Sequence, residues 1–261
     1  MSDSPSFSII VPTFNRPAML KRAIESIEKQ TFQDFEVIVS DDGSSACLSD
    51  VVSCFPHLRI ELLTSDRNEG ASIARNRAIA RSSGRYIAFL DDDDEYQADF
   101  LARSHQALRD SPETIGYSWS NVCHVRYAQN VPVHLETTQY RLPEGSLSMR
   151  AEDALTIGIG YGVAIRREAV LAAGCFDPSL KLVEDTDLFL KLISLGLTST
   201  LIPGINVHIH HHGGDRMTSA SMNAMRAVEC LVLIEKHGIF LAENCSLKKQ
   251  LMLGIRCLEP C

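Results

Sequence analysis

The sequence predicts an α/β fold in which a mostly parallel central sheet is flanked by helices. In the first half of the chain, short apolar runs alternate with amphipathic segments, which is typical of strand–helix–strand units. Polar residues directly follow three of the apolar runs, as they do where ligands bind outside the carboxyl ends of parallel strands. The length of 261 residues suits one globular domain with insertions, or a domain with a small appendage.

Four strands and two helices are predicted in the first half. The first strand is a β-branched run stopped by Pro12, and the helix after it begins at Pro17, because proline suits a first helical turn. The second helix ends at Gly84, and the strand after it runs straight into four aspartates. The predicted strands are 6–11, 35–40, 58–63 and 86–90, and the predicted helices are 17–30 and 70–83.

The second half is less regular. Strand-like stretches cover 115–125 and 131–140, either as a hairpin or as an excursion of the sheet. The glycine-rich segment 158–162 precedes a short strand and lacks the strand-before, helix-after setting of a dinucleotide loop, so no dinucleotide site is predicted there. The remaining predicted elements are a strand at 163–165, a helix at 185–195, a strand at 198–202 and amphipathic helices at 219–237 and 247–258.

Composition excludes several classes of protein. Hydrophobic residues make up 45% and charged residues 22%, so neither a disordered nor a fibrous chain is expected. The formal charge is −8 and no Lys/Arg run is present, so no nucleic-acid partner is expected. No stretch approaches the ~20 apolar residues of a membrane span, and the N-terminus lacks the pattern of a signal peptide. We therefore expect a cytoplasmic protein whose scattered cysteines are reduced.

The strongest chemical clue is the run of four aspartates at 91–94. Four neighbouring carboxylates repel one another, and the structural alternative is a solvated acidic turn that caps the next helix. Carboxylate oxygens suit Mg²⁺ or Mn²⁺, which keep coordination positions open for water and substrate phosphates. The chain has no Walker lysine loop, so nucleoside triphosphatase chemistry is not expected. Further polar clusters at 13–16 and 41–42 meet the aspartates at one edge if the three strands are neighbours.

Several segments together resemble glycosyltransferase family 2. They match its pattern in order and spacing over about residues 6–200: SIIVPTFNR (8–16), QTF (30–32), EVIVSDDGS (36–44), NEG (68–70), ARN (74–76), YIAFLDDDD (86–94), GCFD (174–177) and EDTDLFL (184–190). The resemblance implies a GT-A fold, in which a nucleotide-binding half is joined to an acceptor-binding half. We accordingly expect a nucleotide-sugar half at 1–110, an acceptor-binding and catalytic half at 111–215 and a helical segment at 216–261.

The resemblance also implies a metal-dependent, inverting transfer of a sugar from a nucleotide donor, expected to be UDP-linked, to a hydroxyl of a glycan, lipid-linked or other acceptor. Asp185 matches the general base of the family, and Asp93 is expected to bind Mn²⁺ or Mg²⁺ directly. The residues expected at the donor are Pro12, Thr13, Asn15, Arg16, Asp41, Asp42, Arg75, Asp91, Asp92 and Arg216.

Individual roles within that set differ. Asp42 matches the carboxylate that contacts the base, while Asp91 or Asp92 is expected near the ribose or a metal-bound water, and Asp91 is also a candidate metal ligand. Arg75 either approaches the diphosphate or pairs at i,i+4 on its helix. Asp94 is expected to cap the following segment. Like-charge repulsion between Glu184 and Asp185 is expected to raise the proton affinity of either carboxylate. The structural alternative is that both acids are residues of a first helical turn, where the helix dipole favours negative charge.

A histidine-rich segment, VHIHHHGGDR, spans 207–216. On a strand, alternate histidines share one face, and imidazoles at that spacing can bind a transition metal. His212 is the first candidate for the metal and His210 the second, with Arg216 as a phosphate partner on the loop that follows. The alternative is that these histidines are structural.

Two rival functions differ in class from a glycosyltransferase. A nucleotidyltransferase would prefer a glycine-rich basic loop after the first strand, where this chain has PTFNR. An inactive binding or assembly module would not need Asp42, Asp91, Asp93 and Asp185 together. The C-terminal helices are candidates for peripheral contact with the inner face of a membrane, for a homodimer contact, or for covering the core of the domain itself. Their apolar residues are Leu231, Val232, Ile234, Ile239, Phe240 and Leu241.

Overall fold

The computed structural model describes residues 4–128, 131–211 and 222–256 of the chain. Its strands are β1 (Phe7–Thr13), β2 (Phe35–Asp41), β3 (Ile60–Thr64), β4 (Tyr86–Phe89), β5 (Glu95–Tyr96), β6 (Ile115–Ala128), β7 (Val131–Thr138), β8 (Ala164–Arg166) and β9 (Thr198–His211). Its helices are α1 (Pro17–Glu28), α2 (Ser49–Val52), α3 (Ala71–Arg81), α4 (Phe100–Arg109), α5 (Ala151–Ala154), α6 (Arg167–Ala172), α7 (Glu184–Ser194), α8 (Asn223–Lys236), α9 (Gly238–Glu243) and α10 (Cys245–Arg256).

All of the described strands belong to one sheet, in the order β3-β2-β1-β4-β8-β6-β9-β5, with β7 paired to β6. The first-half strands β3, β2, β1 and β4 are mutually parallel. The second half is mixed, because β8 runs antiparallel to β4 and β6 while β9 runs parallel to β6. The predicted α/β class is therefore confirmed, and the chain segments at 115–128 and 131–138 form a hairpin.

The strand β1 contributes to hydrophobic cores on both faces of the sheet. Successive side chains of a strand point to opposite faces, so a strand covered on both sides is apolar throughout. Ile9 packs in the cluster that contains Leu20 and Ile24 of α1. Ile10 packs in the cluster that contains Ala78 and Ile79 of α3. This double burial makes the sheet a rigid support for the loops that leave its carboxyl edge.

The C-terminal helices cover the outer side of α7. Leu233, Leu241 and Leu251 are buried with Leu190 of α7 in a third apolar cluster. Of the three roles considered, covering the core of the domain is the one that this packing supports, but the helices do not use their whole surface for it: Ile239 is 87% exposed. Leu231 and Val232 are also exposed, while Ile234 and Phe240 are partly buried against the cluster. Within the described residues, no helix is both long enough and apolar enough to cross a membrane.

Two elements differ from the sequence expectations. The helix α4 was not predicted, although its buried residues Phe100, Leu101, Ser104 and Leu108 recur at helical spacing. The strand β9 continues well beyond residue 202, although Pro203 and Gly204 interrupt its apolar run. Register shifts between β6 and β9 absorb this interruption as an irregularity, so the pairing resumes at Ile205 and Val207.

Gly84 is a position where the packing of the sheet tolerates no side chain. A Cβ at Gly84 would lie 2.5 Å from the carbonyl carbon of Phe7, and the Gly84 amide donates to the Ser8 hydroxyl at 2.8 Å. We expect Gly84→Ala to lower the free energy of unfolding by about 1–3 kcal/mol, because the backbone of β1 must shift. Urea unfolding measures this change. The matched control is Gly238→Ala, where no heavy atom lies within 4 Å of the added Cβ, and equal losses in both variants would contradict the prediction.

Candidate active site

The three polar clusters lie at one edge of the sheet, because β1 sits between β2 and β4 and all three run in the same direction. Thr13 pairs with Asp41 in the strand register, and the Leu90 amide donates to the Ile10 carbonyl at 3.1 Å, just before the aspartate run. The condition on which the sequence analysis depended, that these strands are neighbours, is met.

The loop after β1 is bonded to the aspartates after β4. The Thr13 hydroxyl donates to Asp92 Oδ2 at 2.7 Å. The Arg16 guanidinium lies 3.1 Å from Asp92 Oδ1 and 3.3 Å from Asp93 Oδ2. Burial raises the pKa of Asp92 to about 6, and Thr13 and Arg16 oppose that rise. Half of the Arg16 side chain is exposed, so this cation also faces the open edge.

A second set of bonds orders the loop after β2. Asp42 is 4% exposed, and both of its oxygens accept backbone amides, Glu69 at 3.0 and 3.1 Å and Gly70 at 2.7 Å. Asp41 accepts the Ser44 amide at 3.0 Å. Asp42 thus orders the turn that precedes α3, and its predicted contact with a nucleotide base stays a prediction.

Asn15 joins these two loops. Its φ of 56° lies in the left-handed region, which asparagine tolerates better than most residues. Its side-chain oxygen accepts a hydrogen bond from the Ser45 backbone amide at 2.8 Å. The backbone amide of Asn15 donates to the Ser44 hydroxyl at 2.8 Å. Pro12, next to Thr13 in β1, is partly buried at the same edge.

Arg75 is a buried cation between two acids from distant parts of the chain. Its side chain is 5% exposed, with Nη2 2.9 Å from Asp91 Oδ1 and Nη1 3.0 Å from Glu184 Oε1. Burial by itself would lower the pKa of Arg75, but Asp91 and Glu184 raise it, so the guanidinium stays charged. The alternative of an i,i+4 pairing on α3 is wrong, because positions 71 and 79 are alanine and isoleucine and both partners lie outside this helix.

Asp185 lies in the first turn of α7, directly after Glu184, which pairs with Arg75. Its Oδ1 accepts the Thr186 amide at 2.7 Å and its Oδ2 accepts the Ile159 amide at 3.3 Å. The side chain is packed among protein atoms but keeps part of its surface open to solvent. Burial raises the pKa of Asp185, and burial together with Asp185 raises the pKa of Glu184 to about 7. This pair can therefore accept a proton near neutral pH.

The glycine-rich segment 158–162 runs beside three of these acids, which the sequence analysis did not anticipate. A Cβ at Gly160 would lie 3.4 Å from Asp91 Oδ2 and 3.5 Å from Asp94 Oδ2. A Cβ at Gly158 would lie 3.3 Å from Asp185 Oδ2. Glycine keeps this backbone close to the carboxylates without a side chain between them. The signal in the sequence is the alternation of glycines at 158, 160 and 162.

The histidines of β9 contact protein groups. The two ring nitrogens of His210 lie 2.7 Å from the Tyr127 hydroxyl and 3.0 Å from Glu95 Oε1, so the structure does not place this imidazole as a metal ligand. The His210 amide donates to Asp94 Oδ1 at 2.9 Å, so Asp94 contacts β9, and its expected capping of the following segment stays a prediction. His212 and Arg216 lie outside the described residues.

The donor groups at this edge suit a hard cation. Among the residues that the structure describes, no group of three or more His, Cys, Asp and Glu is arranged as a metal site. Asp91 and Asp94 nevertheless each direct a carboxylate oxygen toward Gly160. The absence of a Cβ at this glycine leaves space beside the two oxygens. Such donors match Mg²⁺ or Mn²⁺ in kind, whereas zinc sites favour Cys and His.

Comparison with known proteins gives a consistent result. The model of the family described as "Glycosyl transferase family 2" matches residues 8–172. A putative colanic acid biosynthesis glycosyl transferase, WcaA of Escherichia coli K12, is 33% identical over 74% of this chain and 68% of its own length.

Two shorter matches concern relatives with named acceptors. The GalNAc(5)-diNAcBac-PP-undecaprenol beta-1,3-glucosyltransferase of Campylobacter jejuni is 41% identical over 35% of this chain and 30% of its own. The UDP-Glc:alpha-D-GlcNAc-diphosphoundecaprenol beta-1,3-glucosyltransferase WfgD of Escherichia coli is 44% identical over 36% of this chain and 37% of its own. These matches span only about a third of each relative.

Solved structures share the fold. TarS 1-349 of S. aureus in complex with UDP-GlcNAc superposes with a TM-score of 0.67 at 18% identity, over 88% of this chain and 66% of that one. The mannosyltransferase PcManGT of Pyrobaculum calidifontis, in complex with GDP-Man and Mn²⁺, superposes with a TM-score of 0.68 at 19% identity, over 98% and 74%. The expected GT-A fold is therefore confirmed.

The raised pKa of Glu184 has a consequence for stability. The unfolded chain releases this proton near pH 4.5 and the folded chain near pH 7, so the folded state holds more protons in between and stability falls as pH rises through that window. We expect the melting temperature of the wild type to fall more between pH 5 and pH 8 than that of Glu184→Gln. Thermal unfolding at several pH values measures it. Glu235→Gln, on the exposed face of α8, is the control, and identical pH profiles for all three proteins would refute the prediction.

Proposed function

Because this chain belongs to glycosyltransferase family 2, we propose that it transfers a sugar from a nucleotide-diphosphate donor to a hydroxyl group of a glycan acceptor, with inversion at the anomeric carbon. The single observation that supports this most is the meeting of Asp42, Asp91 and Asp185 with their neighbours at one edge of the sheet. The rival nucleotidyltransferase and the inactive module gain no specific support from the structure.

The proposed donor is a UDP-sugar. The name of WfgD includes UDP-Glc and the TarS complex contains UDP-GlcNAc, whereas PcManGT is in complex with GDP-Man. In this chain, the donor is expected against the joined loops after β1 and β2, which carry Pro12, Thr13, Asn15, Arg16, Asp41 and Asp42. Arg16 has the exposure and the charge to meet a phosphate oxygen there.

We further propose that Asp91 and Asp93 hold Mg²⁺ or Mn²⁺ at the donor diphosphate. Bound there, the cation would neutralise the negative charge that builds on the leaving diphosphate. The chain itself orients these two carboxylates: Arg75 holds Asp91 on one side and Arg16 holds Asp93 on the other. The Mn²⁺ in the PcManGT complex supports this proposal by analogy of fold.

Asp185 is proposed as the general base. The acceptor hydroxyl attacks the anomeric carbon from the face opposite the diphosphate, the bond from that carbon to the phosphate oxygen breaks, and the hydroxyl proton passes to a carboxylate. Burial raises the pKa of Asp185, which makes the carboxylate a better proton acceptor. Its bonds to the Thr186 and Ile159 amides fix its orientation.

The proposed acceptor is a lipid-linked glycan. Two relatives are named for undecaprenyl-diphosphate-linked acceptors, and the chain matches about a third of each of them. Such an acceptor is presented at a membrane surface, so peripheral contact at the cytoplasmic face fits the same proposal. Docking of α8 and α9 on a membrane or on a second copy of the chain stays a prediction.

The base assignment predicts the effect of Asp185→Asn. We expect transfer to fall by about 10²–10⁴-fold, because a neutral amide cannot accept the acceptor proton, while UDP affinity stays within about twofold. Product formation and calorimetric titration with UDP measure the two effects. Asp50→Asn, an exposed acid on α2, is the control. Near-normal turnover of Asp185→Asn would show that another group is the base.

The metal proposal predicts the effect of Asp93→Asn. We expect Mn²⁺ to strengthen UDP binding in the wild type and this gain to shrink by about tenfold in the variant, since one anionic ligand is lost. Calorimetry with UDP, with and without Mn²⁺, measures it, again with Asp50→Asn as control. Wild-type UDP affinity that does not change with Mn²⁺ would contradict the proposal.

A further inference from the structure

The segment that carries Asp185 is attached to α8 on both sides of the acid. Residues 177–183 form the loop that enters α7, and α8 contacts this loop at two places and α7 itself at a third. Both α7 and α8 lie beyond residue 172, where the match to the family model ends. The contacts therefore lie beyond the residues that the family model matches.

Glu229 forms the central contact. Its side chain points inward from α8, and the residue is only 9% exposed. Its two oxygens accept the Lys181 amide at 3.1 and 3.2 Å and the Leu182 amide at 2.9 Å. On either side of these amides, Leu180 and Val183 are buried in the apolar cluster of the C-terminal helices. One carboxylate thus satisfies the backbone of a loop whose side chains are already packed against the same helices.

An ionic network forms the other two contacts. Asp187, fully buried in α7, lies 2.9 Å from Lys236 Nζ and 2.8 Å from His237 Nε2 at the end of α8. Lys236 also lies 2.5 Å from Asp177 Oδ2, at the start of the loop. Lys191 of α7 completes the set, 2.7 Å from Asp187 Oδ2. Removing a partner from such a buried network would leave an uncompensated charge.

The loop and the residue before it, Phe176, also contact α3. Asn76 exchanges hydrogen bonds with the backbone of Phe176 at 2.8 and 3.0 Å, and the Ser72 hydroxyl donates to the Leu180 carbonyl at 3.3 Å. The loop is therefore held between α3 and α8, and α7 starts directly after it. Because two of the three hydrogen bonds to Asp185 come from Thr186 of its own helix, the position of its carboxylate follows the position of that first turn.

We propose that Glu229 is a positioning residue for the general base: by binding the Lys181 and Leu182 amides it holds the start of α7, and hence the Asp185 carboxylate, at the distance that proton transfer requires. The inference rests on the proposed function. Misplacement of a reacting group by about 1 Å can cost on the order of 10²-fold in rate, so a contact outside the site can matter for turnover. Donor binding depends chiefly on the loops after β1 and β2. A shift of the first turn of α7 reaches Asp91 only through Glu184 and Arg75, so donor affinity is expected to respond much less than turnover.

The test compares Glu229→Ala with Glu235→Ala, a glutamate on the same helix whose side chain is exposed. We expect kcat of Glu229→Ala to fall about 10- to 100-fold, with KM for the donor and Kd for UDP within about twofold of the wild type. Glu235→Ala should keep the wild-type values. Glu229→Gln retains one acceptor oxygen, so it should recover part of the lost kcat.

Amide hydrogen exchange provides a measurement that needs no substrate. Exchange at the Lys181 and Leu182 amides should accelerate in Glu229→Ala and not in Glu235→Ala, while the Glu69 and Gly70 amides, bonded to Asp42, stay unchanged. Unchanged kcat in Glu229→Ala would overturn the inference, and so would parallel losses of kcat, UDP affinity and global melting temperature. A wild-type chain that transfers no sugar would instead contradict the proposed function, and the inference with it.

Discussion

The buried guanidinium of Arg75 is the interaction on which the site depends. It neutralises Asp91 at the end of β4 and Glu184 at the start of α7, two acids that the chain brings together from opposite halves. Without a cation between them, the two carboxylates would repel each other, and Glu184 would also be desolvated without compensation. The two ion pairs therefore couple the position of the aspartate run to the position of the proposed base through a guanidinium that is only 5% exposed.

The remaining acids are accommodated by local donors. Backbone amides satisfy Asp42 and Asp185, a hydroxyl and a guanidinium satisfy Asp92, and the His210 amide binds Asp94. These donors lower the cost of gathering negative charge, and the glycines at 158 and 160 leave the space beside it free of side chains. The result is an acidic edge with a fixed shape, which suits a site where charge must be stabilised rather than rearranged.

Packing away from the edge has consequences at the edge. The C-terminal helices bury one face against α7, and through Glu229 and the Asp187 network they also hold the loop that begins it. The histidines of β9 act in a comparable way: His210 links β9 to the residues after β4 and to Tyr127 of β6. In this fold, some residues of types that could bind a metal, such as His210 and Asp187, hold neighbouring elements together instead, because tertiary contacts occupy their polar atoms.

The sequence alone determined the elements whose signal is local. The β-branched run before Pro12, the apolar run before Asp91 and the family motifs were sufficient to predict the α/β class, the parallel strands and the edge where the acids meet. Only the tertiary structure decided that Arg75 pairs with Asp91 and Glu184, that the glycine segment runs beside Asp185, and that His210 contacts Tyr127 and Glu95. The periodicity of apolar residues predicts which face of a helix or strand is buried. The partners of Arg75, Asp185 and His210 depend instead on how separate elements pack, and the residues next to them in sequence do not determine that packing.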